Sequence, residues 1–183
     1  MSNDAAARWY PRTTLVAALI LLAALSRLLP HPPNFTPVEA IGLFGGAYLA
    51  DRRLAFVIPL VAMALADLVL GLHSGMPVIY ALIAFNVWLG FRVGPNPSAS
   101  RVAGYGLLAA TVFFVVSNFA VWASGGGLFY TQDLAGLISC YTLALPFFGY
   151  SLLGMAVYST ILFGGMALAR KQSAANGALI SRA

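Results

Sequence analysis

The sequence predicts an all-α integral membrane protein with six transmembrane helices, and three observations lead there. Of its 183 residues 61% are hydrophobic and only 8% charged, against the roughly 25% charge with which a soluble domain covers its surface. The apolar residues form long unbroken runs, not the alternating pattern of barrel strands. Mean hydropathy is +0.87, which also excludes a disordered chain, because such a composition does not stay solvated. The length allows six spans of about 20 residues joined by short loops.

The first span runs from Thr13 to Leu29. Ala23-Ala24-Leu25-Ser26 resembles a leader-peptidase site, but further apolar spans follow at once, so the run reads as an uncleaved helix. Pro30, Pro32, Pro33 and Pro37 then force an extended connection, since proline lacks the amide donor and restricts the residue before it. A short second span, Thr36 to Ala50, ends at the charged turn Asp51-Arg52-Arg53. The third span, Leu54 to Leu72, contains Pro59, and the turn His73 to Pro77 leads into the fourth, Val78 to Val93. Gly94 to Ser98 is a loop. The fifth span, Arg101 to Ser124, stops at Gly125-Gly126-Gly127. Gln132 to Leu143 is too short to cross and carries Asp133, so it is expected as a short outer helix or re-entrant segment, with Pro146 opening the sixth span. The domain reading is a tail over 1–12, one transmembrane domain over 13–170 and a frayed tail over 171–183.

Orientation follows from the basic residues. With both termini cytoplasmic, Arg8, Arg12, Arg52, Arg53, Arg92, Arg101, Arg170, Lys171 and Arg182 lie inside and only Arg27 outside. That asymmetry satisfies the positive-inside rule. It also accounts for the net charge of +5 without nucleic acid as a partner; the partner read here is the lipid bilayer. A single cysteine, Cys140, excludes an internal disulfide and any multi-cysteine metal centre.

This topology gathers the polar residues on the outer side: His31, Asn34, Glu39, Asp67, His73, Tyr130, Gln132 and Asp133. The inner half of the bundle reads as nearly featureless. An ionisable group at membrane depth costs at least about 2.5–3.5 kcal/mol, which makes Asp67 and Glu39 functional candidates. Each also has a structural reading: Glu39 as a charge matched to a helix N-terminus, and Asp67 as an ion-pair partner of Arg27. Asn86 and Asn118 suit hydrogen bonds between helices or to a ligand, and Gly42/Gly46 and Ala62/Ala66 have small-residue packing spacing. Phe129, Tyr130, Tyr141, Phe147, Phe148 and Tyr150 form either an interfacial belt or a stacking wall for a flat ligand. There is no Walker A loop, HExxH motif or GxSxG elbow, so no motif for ATP hydrolysis or a zinc or serine hydrolase is present.

The run Ser26-Arg27-Leu28-Leu29-Pro30-His31-Pro32-Pro33-Asn34-Phe35-Thr36-Pro37, followed by Ala40 to Tyr48, resembles the signature of a bacterial membrane-protein family of largely unassigned function. Asp67 to Ser74, Asn118 to Trp122, and Ala135 through Cys140-Tyr141 to Phe148 continue the resemblance, which spans residues 13 to 165. That family is in turn distantly similar to the S-components of energy-coupling factor vitamin transporters. The resemblance implies six helices in a bacterial cytoplasmic membrane and capture of a vitamin-class nutrient from the outer side. It also implies docking on an energy-coupling transmembrane subunit driven by ATPases. The Ala-xxx-Ala docking spacing of S-components is missing, since Ala17, Ala18, Ala23 and Ala24 form no such pair. Solitary BtuM-type cobalamin transporters work without that subunit, and on this likeness cobalamin is a candidate substrate with His73 as a cobalt ligand. The expected binding residues are Asn34, Glu39, Asp67, His73, Asn118, Tyr130 and Tyr141, with no catalytic set. The competing readings are a membrane enzyme using Asp67, His73 and Glu39 on a lipid-linked substrate, and a structural or assembly subunit.

The orientation is testable with Cys140 replaced by alanine. Cysteines at Ser2 and Ser173 are expected to react with an impermeant maleimide only after the inner face is opened, and one at Ser74 in intact cells. Labelling of Ser173→Cys from outside refutes the topology.

Overall fold

A computed structural model describes residues 11, 13–125 and 127–180. The tail bearing Arg8 and Arg12, Gly126 of the glycine run, and Arg182 lie outside the described residues. Within them there is no strand, and six α-helices follow one another: α1 (Thr13–Leu25), α2 (Val38–Tyr48), α3 (Arg52–Leu70), α4 (Met76–Val93), α5 (Ala99–Ser124) and α6 (Leu134–Ile180). A 3-10 turn, Ser26–Leu28, ends α1. Four helices are long and apolar enough to cross a membrane: α3, α4, α5 and the Leu134–Ser173 part of α6. The first two predicted spans come out short. The prolines between residues 30 and 37 take both helix ends into an extended strap, leaving 16 apolar helical residues over Thr13–Leu28 and 11 in α2.

Side-chain caps set three helix starts. Asp51 accepts from the amides of Arg53 (2.7 Å) and Leu54 (3.3 Å) at α3, and Ser98 accepts from Arg101 N–H (3.2 Å) at α5. Asp133 accepts from Gly136 N–H (2.8 Å) at α6. These caps satisfy amides that have no partner inside the helix. The Thr131 hydroxyl, followed by the Gly136 amide, also holds the Asp133 carboxyl below the usual carboxylate range. The charge it keeps sits favourably at the positive end of the α6 dipole.

The segment before the last span is not a separate short helix. Leu134 to Ile180 form one 47-residue helix that passes through Pro146 and continues beyond Gln172, where fraying is expected from the sequence. Proline removes one helical donor and crowds the preceding turn, but here both flanks are held. Before it, Tyr141 donates from its hydroxyl to Val115 O (2.6 Å), and Cys140 Sγ lies 3.5 Å from Asn118 O. After it, Gly154 packs on the Thr36 backbone. With neighbours on either side, a proline in a membrane helix bends it without ending it. At 1.5 Å per residue α6 is about 70 Å long, roughly twice the hydrocarbon core of a bilayer.

The tightest contact joins α2 to α4. A β-carbon on Gly46 would meet Val87 O at 2.0 Å, and one on Gly90 would meet Leu43 O at 2.4 Å. Gly42 faces Asn86 in the same way, and a β-carbon there would lie 2.8 Å from Asn86 Cβ. The Gly42/Gly46 spacing therefore acts as the sequence predicts, letting two backbones meet. Every residue of α2 is buried, and Phe44 and Tyr48 pack on Phe163 of α6 at 5.3 and 5.6 Å. Because Gly46 sits level with Gly90, and α2 has fewer residues ahead of that level than α4, α2 begins about 9 Å deeper. The strap consequently dips into the bundle.

Gly46→Ala is expected to destabilise the protein by about 1–3 kcal/mol, the usual range for overpacking. Gly104→Ala, where an added methyl meets nothing within 4 Å, should be neutral. Thermal unfolding of both variants in detergent checks the contrast.

Candidate functional site

A polar layer lies where the 3-10 turn, the strap and the adjoining ends of α3 and α4 meet. Arg27 leaves the turn after α1 and donates from Nη1 to Asp67 Oδ1 at 2.6 Å, with Met63 Sδ 3.8 Å from the same nitrogen. Tyr80, across the hairpin, donates its hydroxyl to Asp67 Oδ2 at 2.9 Å. Asp67 is 3% exposed at its side chain and Arg27 14%. Both carboxylate oxygens thus have protein partners, and Asp67 reads as the lock joining α1, α3 and α4. The ion pair is the structural alternative that the sequence leaves open for Asp67.

A second pair of polar residues is buried without such partners. Glu39, in the first turn of α2, and Asn86, in α4, are each 1% exposed. Among the described residues Glu39 Oε2 and both amide atoms of Asn86 have no hydrogen-bond partner. The Gly42 contact holds Asn86 Cβ against α2 one helical turn from Glu39. Each orphaned group forfeits about 1–3 kcal/mol of hydrogen bonding.

The strap closes over this layer. Asn34 is exposed at φ +62°, a left-handed conformation that asparagine tolerates, and forms the turn with Phe35 N donating to Pro32 O (3.1 Å). Phe35 packs on the Tyr158 ring at 5.8 Å, and the Tyr158 hydroxyl is 2.8 Å from Ser26 Oγ. Gly154 lies on the Thr36 backbone, where a β-carbon would come within 3.0 Å. The middle of α6 therefore clasps the strap.

The other expected binding residues lie elsewhere. His73 is exposed in the α3–α4 turn. Among the described residues no three His, Cys, Asp or Glu side chains gather as a metal centre, so His73 would offer a single ligand. Asn118 donates to Phe114 O of its own helix at 2.8 Å, and Tyr141 joins α6 to α5. Tyr130 is half-buried in the α5–α6 connection, which is tied by Trp122 Nε1 donating to Thr131 O (3.0 Å) and Gln132 Nε2 to Trp122 O (2.6 Å). The ring of Phe114 contacts Tyr141 and Phe148 at 5.7 and 4.7 Å, so these aromatics pack on one another.

Tyr80 belongs to the layer but is not singled out by the sequence; Asn86 is, yet neither it nor Asn118 makes the side-chain bond between helices that the sequence suggests, Asn86 having no partner among the described residues and Asn118 bonding its own helix. A signal for Tyr80 exists: Asp67 and Tyr80 stand at similar depths on either side of a short turn, which an antiparallel hairpin brings together.

The opposite end of the bundle is not featureless. A groove of about 750 Å³ runs between α5 and α6, walled by Gly106, Met155, Phe163 and Met166, with Asn96, Arg170 and Lys171 at its mouth. A smaller hollow of about 380 Å³, lined by Arg52, Phe91 and Arg101, shares Pro95 and Asn96 with it. In the sequence these cations signal only orientation; the concavity arises from segments far apart in the chain.

The fold and its buried charges define a helical protein of membrane type. The chain belongs to a family of unknown function, DUF6580, whose model matches residues 8–176. No curated protein and no solved structure matches it.

Asp67→Ala is expected to cost about 3–5 kcal/mol, because it strands the Arg27 guanidinium. The double variant Arg27→Met/Asp67→Leu should recover most of that loss. Unfolding midpoints in detergent for the single and double variants measure the coupling; equal losses in both contradict the lock.

Proposed function

We propose that this protein is a multi-pass uptake protein of the bacterial cytoplasmic membrane, similar in manner to an S-component. In this reading it captures a vitamin-class small molecule from the outer side and holds it beneath the proline strap. The single observation that carries the reading is the pair Glu39 and Asn86, buried in the helical core with three polar atoms that have no partner among the described residues. A chain keeps such groups at a cost in stability when something else completes their hydrogen bonds. A carboxylate and an amide favour a ligand rich in N–H or O–H donors, or one carrying a positive charge. The Arg27–Asp67–Tyr80 lock would hold the surrounding helices rigid, and the strap, clasped by Gly154 and Tyr158, would be the movable cover.

The basic turns at Arg52-Arg53, Arg101 and Arg170-Lys171 support cytoplasmic termini and six crossings, with α1 and α2 completing theirs through the strap. A corrinoid is the member of the vitamin class for which exposed His73 has a role, as a cobalt ligand. Cobalamin titration followed by visible spectrum tests that case. Binding with a spectral shift lost in His73→Ala supports it, and no binding at micromolar concentration removes corrinoids from the candidates.

The general reading is tested by native mass spectrometry of protein extracted gently from its own membrane. A small molecule is expected to accompany the wild type and to be lost from Glu39→Gln and Asn86→Leu. Asn86→Leu, which removes two orphaned polar atoms, should also unfold later by about 1–3 kcal/mol. Retention of the same molecule by both variants overturns the proposal.

A further inference from the structure

We infer that the groove between α5 and α6 binds one anionic phospholipid, with the phosphate among Arg101, Arg170 and Lys171 and one acyl chain between the helices. This rests on the membrane placement proposed above and is independent of the Glu39–Asn86 site.

Charge complementarity is the first argument. Among the described residues the groove and its adjoining hollow are lined by four cations, Arg52, Arg101, Arg170 and Lys171, and by no carboxylate. Arg170 is also oriented, because its Nη1 donates to Asn96 Oδ1 at the point where the two hollows meet. A guanidinium held in this way meets a phosphate oxygen with little further ordering.

The walls supply the second argument. Beyond the cations the groove is mostly apolar, bounded by Gly106, Met155, Phe163 and Met166, with Ser159 and Thr160 as polar interruptions. Gly106 packs directly on one wall: a β-carbon there would come 2.7 Å from Met155 Cε, so a large side chain at 106 pushes the Met155 thioether into the groove. A free phosphate has no use for such walls, whereas an acyl chain buries itself along them. The volume of about 750 Å³ lies within the range of about 300–1,000 Å³ typical of small-molecule sites. Basic pockets between helices on the cytoplasmic side of a membrane are also where acidic headgroups collect.

The test uses the full chain in a neutral detergent, titrated with phosphatidylglycerol, phosphatidylcholine of the same chains, or inorganic phosphate. Native mass spectrometry and the unfolding midpoint are read together. One phosphatidylglycerol per chain is expected to bind and raise the midpoint, while phosphatidylcholine and phosphate do neither. Arg101→Gln and Lys171→Gln should each weaken phosphatidylglycerol binding about fivefold. Gly106→Leu should weaken it as well, without touching a charge, and Asn86→Leu should leave it unchanged. Equal binding of phosphatidylcholine overturns the headgroup assignment. Binding of inorganic phosphate as strong as that of the lipid, or an unchanged affinity in Gly106→Leu, overturns the acyl groove. Where a charge variant or Gly106→Leu unfolds early, the comparison of the two lipids and inorganic phosphate on wild type still decides.

Discussion

The close approach of α2 to α4 governs the rest of this molecule. Gly46 and Gly90 bring two backbones together with no side chain between them, and that contact fixes how deep the short α2 lies. From its depth follow the recessed strap, the burial of Glu39 in its first turn, and the seating of Asn86 against Gly42. In a bilayer the apolar effect does not drive helices together, so such a contact depends on dispersion and fit. A single methyl at the crossing would move every element that rests on it.

The buried polar groups fall into two classes that carry opposite meanings. Arg27, Asp67 and Tyr80 complete one another and bind three helices into a unit. Glu39 and Asn86 lie within the same core yet leave atoms unanswered. Satisfied groups specify structure, whereas unsatisfied ones in an otherwise well-packed interior call for a further component. Composition alone does not separate the two classes, because both present as isolated polar residues in apolar runs.

Much of the architecture was legible in the sequence because its signals are local. The apolar runs mark the helices, Asp51 and Ser98 stand where helices begin, the glycines at 42 and 46 mark a packing face, and Arg27 and Asp67 are natural partners. What was not legible depends on contacts distant in the chain. Pro146 reads as a helix start because proline alone signals a break; only Val115 and Asn118 on one side and Thr36 on the other show why the helix carries on. Asn118 and Tyr141 look like ligand donors until their hydrogen bonds are traced to Phe114 and Val115. The basic groove is not legible in the sequence because its walls come from a loop and two helices separated by some fifty residues of chain.

α6 also touches both ends of the bundle as one continuous element. Gly154 bears on the strap backbone and Arg170 on Asn96, two contacts about 24 Å apart along the same helix. A helix resists bending over such a length where no proline interrupts it, and none lies between these two residues. The strap and the basic mouth are therefore mounted on a common beam. A tilt that relieves one contact must load the other, and the two faces of the protein are mechanically a single device.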